Sequence, residues 1–216
     1  MMTQDERWLE LVAKLAKEPK LVQIYEEGKK AVAILEREAN DKDFKLKLGK
    51  FVEEILRREL NMQLGGKNLT VEPVKDVQNG QDMVVCVDGE IVYYIEVKSR
   101  WSTDKSVLMS TQQHRRSYEN KDKYALCAVD MVDMSKDDAI AHIYPEFEEV
   151  ESKIKVLTNI GILNERLKDA TEAMPGKVHV NGGYQVLVSQ NVIEAYGKPF
   201  SEFVGVLKKV VLDKLG

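Results

Sequence analysis

The stretch IVYYIEVKSRW, residues 91–101, alternates between apolar and other side chains, as a half-buried β-strand does. Strand side chains repeat every two residues, so this strand has two distinct faces. The face predicted to join the core carries Ile91, Tyr93, Ile95 and Val97. The other face ends in charge, with Glu96 and Lys98 two residues apart. This pair is either an exposed ion pair on a hairpin or part of a site with chemistry.

Two further runs, NLTVEPVK and DMVVCVD, precede this strand and predict two more strands. The dipeptide Asp88-Gly89 indicates a hairpin between the second and the third strand. A loop of only these two residues would pair position 82 with Ile95. A longer loop, or a bulge at Gly89 or Glu90, would place Asp82 opposite Glu96. We predict the second register, in which both carboxylates point into one cleft.

The third strand is followed by a polar loop, SRWSTDKS, and a short apolar piece, VLM. Ser110 is then a plausible N-cap for a helix formed by TQQHRRSYENK, and KYALCAVDM predicts another strand. Counted from the helix that precedes the three strands, the predicted order is helix, three strands, helix, strand.

Helical spacing of apolar residues extends from Arg7 to about Arg37, and Pro19 is predicted to separate two helices there. A third helix is predicted to begin at a cap formed by Asp41 or Asp43 and to run to Leu60, before the stop at residues 65 and 66. On this third helix the two adjacent glutamates diverge. Glu53 lies at the edge of the apolar arc, whereas Glu54 lies on the basic side. Glu53 is therefore a candidate inward-facing acid, with a boundary residue that reaches water as the alternative.

The chain is predicted to contain a helical lead-in at 1–40, a core at 41–145 and a C-terminal extension at 146–216 that packs on the core. In the extension, PEFEEVESKIKVLTNIGILNERL has helical spacing through Phe147, Val150, Ile154 and Leu157. KVHVNGGYQVLVS predicts a hairpin, and PFSEFVGVLKKVVLDKL predicts a closing amphipathic helix.

Composition changes this picture little. The 216 residues, 44% hydrophobic and 31% charged, are enough for one compact domain or two small ones. No long apolar run or signal peptide is visible, so we expect a cytoplasmic protein with no membrane partner. Cys86 and Cys127 lack the spacing of a zinc site and are expected to be buried thiols. The net charge of −4 argues against a uniformly basic surface and leaves room for a local basic groove.

The residues on this predicted order resemble the PD-(D/E)xK nuclease superfamily, and most closely the nuclease-like domain at the C-terminus of the plant protein NO VEIN. The resemblance covers about residues 45–132. Its motifs are a helix with G-x-x-x-E, an upstream aspartate, I-E-V-K-[ST], a serine-glutamine helix and Y-x-L. They correspond here to Gly49 with Glu53, Asp82, Ile95 to Ser99, Ser110 with Gln113, and Tyr124 to Leu126. Gln81 stands where the superfamily has a proline before the aspartate.

The resemblance implies an α/β fold with a restriction-endonuclease-like αβββαβ core, whose mixed sheet is flanked by helices. It also implies a metal-dependent nuclease that cleaves phosphodiester bonds, with DNA as the expected substrate and restriction or defence as the expected setting. Asp82, Glu96 and Glu53 would hold Mg²⁺, for which Mn²⁺ is expected to substitute, because hard divalent cations prefer oxygen ligands. Lys98 would orient the attacking water and offset charge on the phosphate, and Gln113 would hold water or phosphate.

Cations and an aromatic ring near this site are the expected nucleic-acid contacts. They are Arg100, Trp101, Lys105, His114, Arg115 and Arg116. Domains of this type often accompany ATPase or helicase modules, so such a partner and a longer parent protein are expected. Two alternatives remain open: an inactive nuclease-fold module that binds nucleic acid or protein, and a protein-interaction domain that exposes an apolar patch on residues 8–35.

Overall fold

The computed structural model describes residues 19–66, 68–74, 80–101, 106–172 and 185–215. The chain divides into two compact units, residues 1–46 and residues 47–216. The first predicted helix and most of the expected apolar patch lie outside the described residues or their described side chains. Within the described part of the chain, no helix combines the length and apolarity needed to cross a bilayer.

Helix α1, Pro19–Leu64, is one continuous helix, so the predicted start at Asp41 or Asp43 is wrong. Both aspartates lie in its interior, after the strong helix formers of LEREA. A polar residue caps a helix only where the preceding chain leaves the helical conformation, and here propagation continues through it. The helix starts at a proline and ends just before Gly65, as the sequence indicates.

Five of the strands form the main sheet. Strands β1 (Leu69–Pro73), β2 (Met83–Val87) and β3 (Glu90–Arg100) pair in antiparallel fashion, and β3 pairs in parallel with β5 (Tyr124–Asp130). Between β3 and β5 lie β4 (Val107–Met109), helix α2 (Thr111–Asn120) and a 3₁₀ turn, Lys121–Lys123. The predicted α/β class, a mixed sheet flanked by helices in the order αβββαβ, is confirmed.

The β2–β3 hairpin combines a two-residue loop with a bulge. Asp88 and Gly89 form the loop, and both have positive φ, as the tightest hairpin turns require. The bulge lies further along, where Cys86 pairs with Ile91 and Val85 pairs with Tyr93, so Val92 is the extra residue. The predicted register is confirmed, although the bulge is not at Gly89 or Glu90. The shift also moves Ile91 off the predicted core face, and it is 49% exposed.

The C-terminal part adds a strand to the main sheet. The predicted single helix from residue 145 to 167 is wrong, because Ile154–Leu157 forms β6, which pairs with β5. Helix α3 (Lys136–Ile140) and helix α4 (Phe147–Glu151) precede it, and α5 (Ile160–Glu172) follows. The apolar residues of IKVL fit the periodicity of a helix and also that of a strand. The segment forms a strand because it can pair with the free edge of β5.

The last elements are β7 (Val186–Val188), α6 (Gln190–Tyr196) and the predicted closing helix, α7 (Phe200–Leu215). β7 pairs with β4 in a separate two-stranded sheet. The first half of the predicted hairpin in this region lies outside the described residues. Cys86 and Cys127 are free, buried thiols, as expected.

Helix α1 is fastened to the sheet at its edge strand. The side-chain amide of Asn61 accepts a hydrogen bond from Val71 N (2.8 Å) and donates one to Val71 O (3.0 Å), as a neighbouring strand would. The apolar arc of α1 is buried and consists of Leu48, Val52, Ile55, Leu56 and Leu60. These contacts fix the rotation of the helix, and therefore which of its polar side chains face the sheet.

Candidate active site

Asp82, Glu96 and Lys98 meet at the junction of β2 and β3. Asp82 N donates to Ile95 O (3.0 Å), and Asp82 Oδ2 accepts from Val97 N (2.7 Å). Lys98 Nζ lies 2.8 Å from Glu96 Oε1, and the Glu96 side chain is only 1% exposed. The bulge at Val92 makes this possible, because it places Asp82 level with Glu96 and on the same side of the sheet.

Helix α1 supplies a third carboxylate. Glu53 is half-buried and lines a cleft of about 310 Å³ together with Asp82, Lys50 and Arg57. The neighbouring Glu54 is exposed and accepts a hydrogen bond from Arg57 Nε (2.9 Å). The predicted helix phase is therefore confirmed: Glu53 faces the sheet and Glu54 faces solvent.

Helix α2 contributes Gln113 through its N-terminal cap. Ser110 Oγ accepts from Gln113 N, while the Gln113 side-chain oxygen accepts from Ser110 N (2.7 Å). This capping box, which S-x-x-Q predicts, fixes the glutamine rotamer. The Gln113 side-chain nitrogen donates to Glu96 Oε1. Gln113 thus orients the buried carboxylate, whereas the sequence suggested a contact to water or phosphate.

Asp82 is held by contacts that replace the missing proline. Gly80 has a φ of +77°, and a β-carbon there would lie 2.7 Å from Gln112 O. Gly80 O accepts from the Tyr124 hydroxyl (2.8 Å), and the Gln81 side chain accepts from Arg116 Nε (3.1 Å). Two residues before Asp82 are therefore attached to β5 and α2. No local pattern predicts these contacts, since they join residues 35 or more positions apart.

Burial raises the pKa of all three carboxyl groups. Burial raises the pKa of Glu96 to about 8, with Asp82 adding to the effect and Lys98 opposing it. Burial and then Asp82 raise the pKa of Glu53 to about 7, against the influence of Lys98 and Lys50. The pKa of Asp82 is also raised, mainly by burial. Desolvation of clustered acids has this effect in the absence of a compensating cation.

These residues fit a hard divalent cation. Glu96 Oε2 is buried and has no hydrogen-bond partner in the described part of the protein, so a carboxylate oxygen remains available as a ligand. Among the described residues, no group of three or more His, Cys, Asp or Glu side chains is arranged so that it could bind one metal ion. Mg²⁺ is commonly held by one or two carboxylates and keeps several waters, and the pair Asp82 and Glu96 suits that mode.

The raised pKa values predict that stability decreases with pH. Glu53 and Glu96 have folded-state pKa values of about 7 and about 8, above the usual 4.5, so the folded state binds more protons between these limits. The free energy of unfolding, measured by urea titration with EDTA present, should fall from pH 5 to above pH 8. The double variant Glu53→Gln, Glu96→Gln should lose this decline. An equal decline in both proteins would show that other groups cause it.

The predicted nucleic-acid contacts do not form one surface. Arg100 and His114 are buried, at 6% and 2% exposure, so their assignment as contacts is not supported. Arg116 contacts Gln81 and lies 5.1 Å from the centre of the Tyr94 ring. Arg115 is exposed beside Glu119, Trp101 is half-buried beneath Lys136, and Lys105 lies outside the described residues. Arg100 ends β3, and His114 lies on α2 beside two arginines. The sequence alone does not indicate which of these side chains are buried.

Two cations of helix α1 that the sequence analysis did not assign to the site also reach the cleft. Lys50 and Arg57 line it, one turn before and one turn after Glu53. Their spacing of three and four residues from Glu53 was the available signal. With Lys98, which contacts Glu96, they supply positive charge near the carboxylates, whereas Arg100 and His114 are buried.

Residues 51–143 match the family model described as "Protein NO VEIN, C-terminal". No curated protein matches the chain. The matched range contains every predicted catalytic residue, from Glu53 on α1 to Gln113 on α2. It also agrees with the extent of the motifs, which run from about residue 45 to residue 132. Residues 51–143, which are less than half of the chain, are therefore similar to the NO VEIN C-terminal family of nuclease-like domains.

Proposed function

We propose that this protein is a metal-dependent nuclease that hydrolyses phosphodiester bonds. The observation that carries the proposal is the cluster that Asp82, Glu96 and Lys98 form with Glu53 of α1, in which Asp82 and Glu53 line one cleft. A surface ion pair on a hairpin would need neither the burial of Glu96 nor its support by Gln113. Buried acids with raised pKa values in a cleft are typical of functional sites.

Asp82 and Glu96 would hold Mg²⁺ or Mn²⁺, and the bound cation would polarise the scissile phosphate and acidify a bound water. Val97 N–H and the Gln113 amide keep the two carboxylates in place. The Lys98 side chain is 27% exposed, contacts Glu96, and lies close enough to Glu53 to oppose the rise in its pKa. There it can orient water and offset charge that develops on the phosphate oxygens.

Glu53 is suited to proton transfer. Its pKa of about 7 places it between its acid and base forms at neutral pH, where a general base works best. It lies in the cleft on the opposite wall from the strands, so it can accept a proton from water held near Asp82. Binding of a cation beside it would lower its pKa and favour the basic form.

DNA is the proposed substrate, and restriction or defence the proposed setting, with an ATPase or helicase module as a partner in a longer protein. The family resemblance supports these choices. The cations at the cleft, Lys50 and Arg57, suit any phosphodiester.

Cleavage of supercoiled plasmid and of single-stranded DNA, with Mg²⁺ or Mn²⁺, tests the proposal. Wild type should cut, and Asp82→Ala should reduce the rate by at least about 100-fold and remove the calorimetric signal of metal binding. Asp133→Ala, which removes an exposed aspartate beside Lys153, is the matched control and should behave as wild type.

A contrary result would be a melting temperature insensitive to metal together with no cut of either substrate. That result would favour the inactive binding module, because clustered carboxylates that bind a cation must be stabilised by it.

A further inference from the structure

A groove of about 440 Å³ adjoins the catalytic cleft within the unit of residues 47–216. One wall is the outer face of helix α1, with Lys47, Lys50 and Arg58. The other wall is the segment before α4, with Tyr144 and Glu146. Lys50 and Arg58 are exposed and Lys47 is half-exposed, so the ammonium and guanidinium groups can meet a ligand in the groove.

The three cations lie along the same side of the helix. Residues 47, 50 and 58 are separated by three and eight positions, which returns them to one face of an α-helix. At 1.5 Å per residue they span roughly 16 Å along its axis. A row of positive charges of this length matches the repeated phosphates of an extended polynucleotide strand, and it exceeds what a single small anion needs.

The acidic side chains of the groove do not cancel this charge. Glu54 also lines it, but Arg57 already neutralises that carboxylate through a hydrogen-bonded ion pair. Among the described residues that line the groove, Glu54 and Glu146 are the acids, and Lys47, Lys50 and Arg58 are the lysines and arginine. The groove therefore carries a net positive charge, although the chain as a whole has a net charge of −4.

An aromatic pair forms part of the floor and wall. The rings of Phe51 and Tyr144 are stacked with centroids 4.2 Å apart and planes 6° from parallel, and both are half-buried. A flat aromatic edge beside a row of cations is the combination that nucleic-acid channels use, with cations for the backbone and rings for bases or sugars. An acidic peptide has no comparable need for the rings.

The groove is continuous with the cleft. Lys50 and Glu54 line both cavities, and Lys50 is close enough to Glu53 to oppose the rise that burial causes in its pKa. A strand whose phosphate reaches Asp82 could thus continue past Lys50 into the groove without leaving the protein surface.

We propose that this groove binds the sugar-phosphate backbone of the nucleic acid next to the scissile phosphate, with Lys47, Lys50 and Arg58 as the phosphate contacts. The inference rests on the proposed nuclease function. It moves the substrate path from the α2 side, where His114 is buried, to the outer face of α1. A single-stranded chain and one strand of a duplex present the same backbone, and binding experiments distinguish them.

The test is fluorescence anisotropy with labelled single-stranded and duplex oligonucleotides in EDTA, so that no cleavage occurs. The variant Lys47→Glu, Arg58→Glu spares Lys50, which also lines the cleft. Its control is Lys208→Glu, Lys209→Glu on α7, which changes the net charge equally at two exposed lysines outside the groove.

The groove variant should bind at least about tenfold more weakly, and its salt dependence should be shallower by roughly 1 to 2 in log–log slope. The control should stay within about twofold of wild type. Stronger binding of the single-stranded probe would identify a single strand as the occupant, and stronger binding of the duplex would identify one strand of a duplex.

The inference would be overturned if the groove variant and the control variant lost equal affinity for the oligonucleotides. It would also be overturned if the wild-type protein bound neither probe. Equal competition by polyglutamate would also overturn it, because the groove would then recognise negative charge alone. These outcomes separate the two proposals. Groove-dependent binding without cleavage contradicts the nuclease proposal only, and cleavage that the groove variant retains in full contradicts the groove only.

Discussion

Lys98→Ala should abolish cleavage and leave most of the affinity for divalent metal. An ammonium group is no metal ligand, and its positive charge opposes a cation at Glu96, 2.8 Å away. Cleavage, in contrast, loses the group that orients water and offsets charge on the phosphate, which should lower the rate by about 100-fold or more. Asp82→Ala and Glu96→Ala should lose both properties. Loss of cleavage without loss of metal binding would thus show that Lys98 acts in the reaction and that the carboxylates bind the metal.

The measurement pairs plasmid nicking with calorimetric titration of Mn²⁺ for wild type and the three variants. Removal of Lys98 also removes a charge that favours ionised Glu96, so the titration belongs at a pH above about 8, where that carboxylate is ionised in wild type. Lys98→Arg is a useful companion, because it keeps the charge and changes the geometry. If Lys98→Ala binds metal as poorly as Glu96→Ala, the lysine is a structural partner of the carboxylate.

Glu53→Gln should reduce metal-dependent cleavage roughly 100-fold, whereas Glu54→Gln should leave it nearly unchanged. The two substitutions are chemically identical and one residue apart, which makes each the control for the other. Both glutamates line the cleft, but only Glu53 is half-buried, and its pKa is raised to about 7 by burial and by Asp82. Glu54 points to solvent and contacts Arg57.

Rates for both variants come from plasmid nicking across pH 5.5 to 9. The pH dependence of wild type should contain a step that is missing in Glu53→Gln, since the amide cannot titrate. Melting temperatures supply the stability control: removal of a desolvated charge should not destabilise the fold. Similar losses in both variants would show that the glutamates act through the helix and that Glu53 takes no part in proton transfer.

Local patterns predicted the carboxylate part of the site well. The period of two in β3 placed Glu96 and Lys98 on one face, and the helical angle separated Glu53 from Glu54. Ser110 and Gln113 formed the capping box that their spacing suggests. The register was the one uncertain step, because a two-residue hairpin alone would have put Asp82 opposite Ile95. The bulge at Val92 corrected it from a position that carries no glycine and therefore no local signal.

Predictions failed where distant contacts decide the outcome. Arg100 and His114 are charged or polar residues that other elements cover, and the sequence does not show which elements lie above them. Residues 154–157 became a strand because β5 offered an unpaired edge. The start expected at Asp41 or Asp43 failed for a local reason, since strong helix formers on the N-terminal side carried α1 through both.

The parallel pairing of β3 with β5 has a consequence for biosynthesis. A parallel pair needs a crossover, and here the crossover includes α2, which delivers Gln113 to Glu96. The site therefore draws on segments from Glu53 to Tyr124, and the Tyr124 hydroxyl that holds Gly80 arrives last from the ribosome. Contacts of long sequence separation form late in folding. We expect the carboxylate cluster to be absent from nascent chains and incomplete folding intermediates, so that the proposed cleavage would begin only after the sheet is complete.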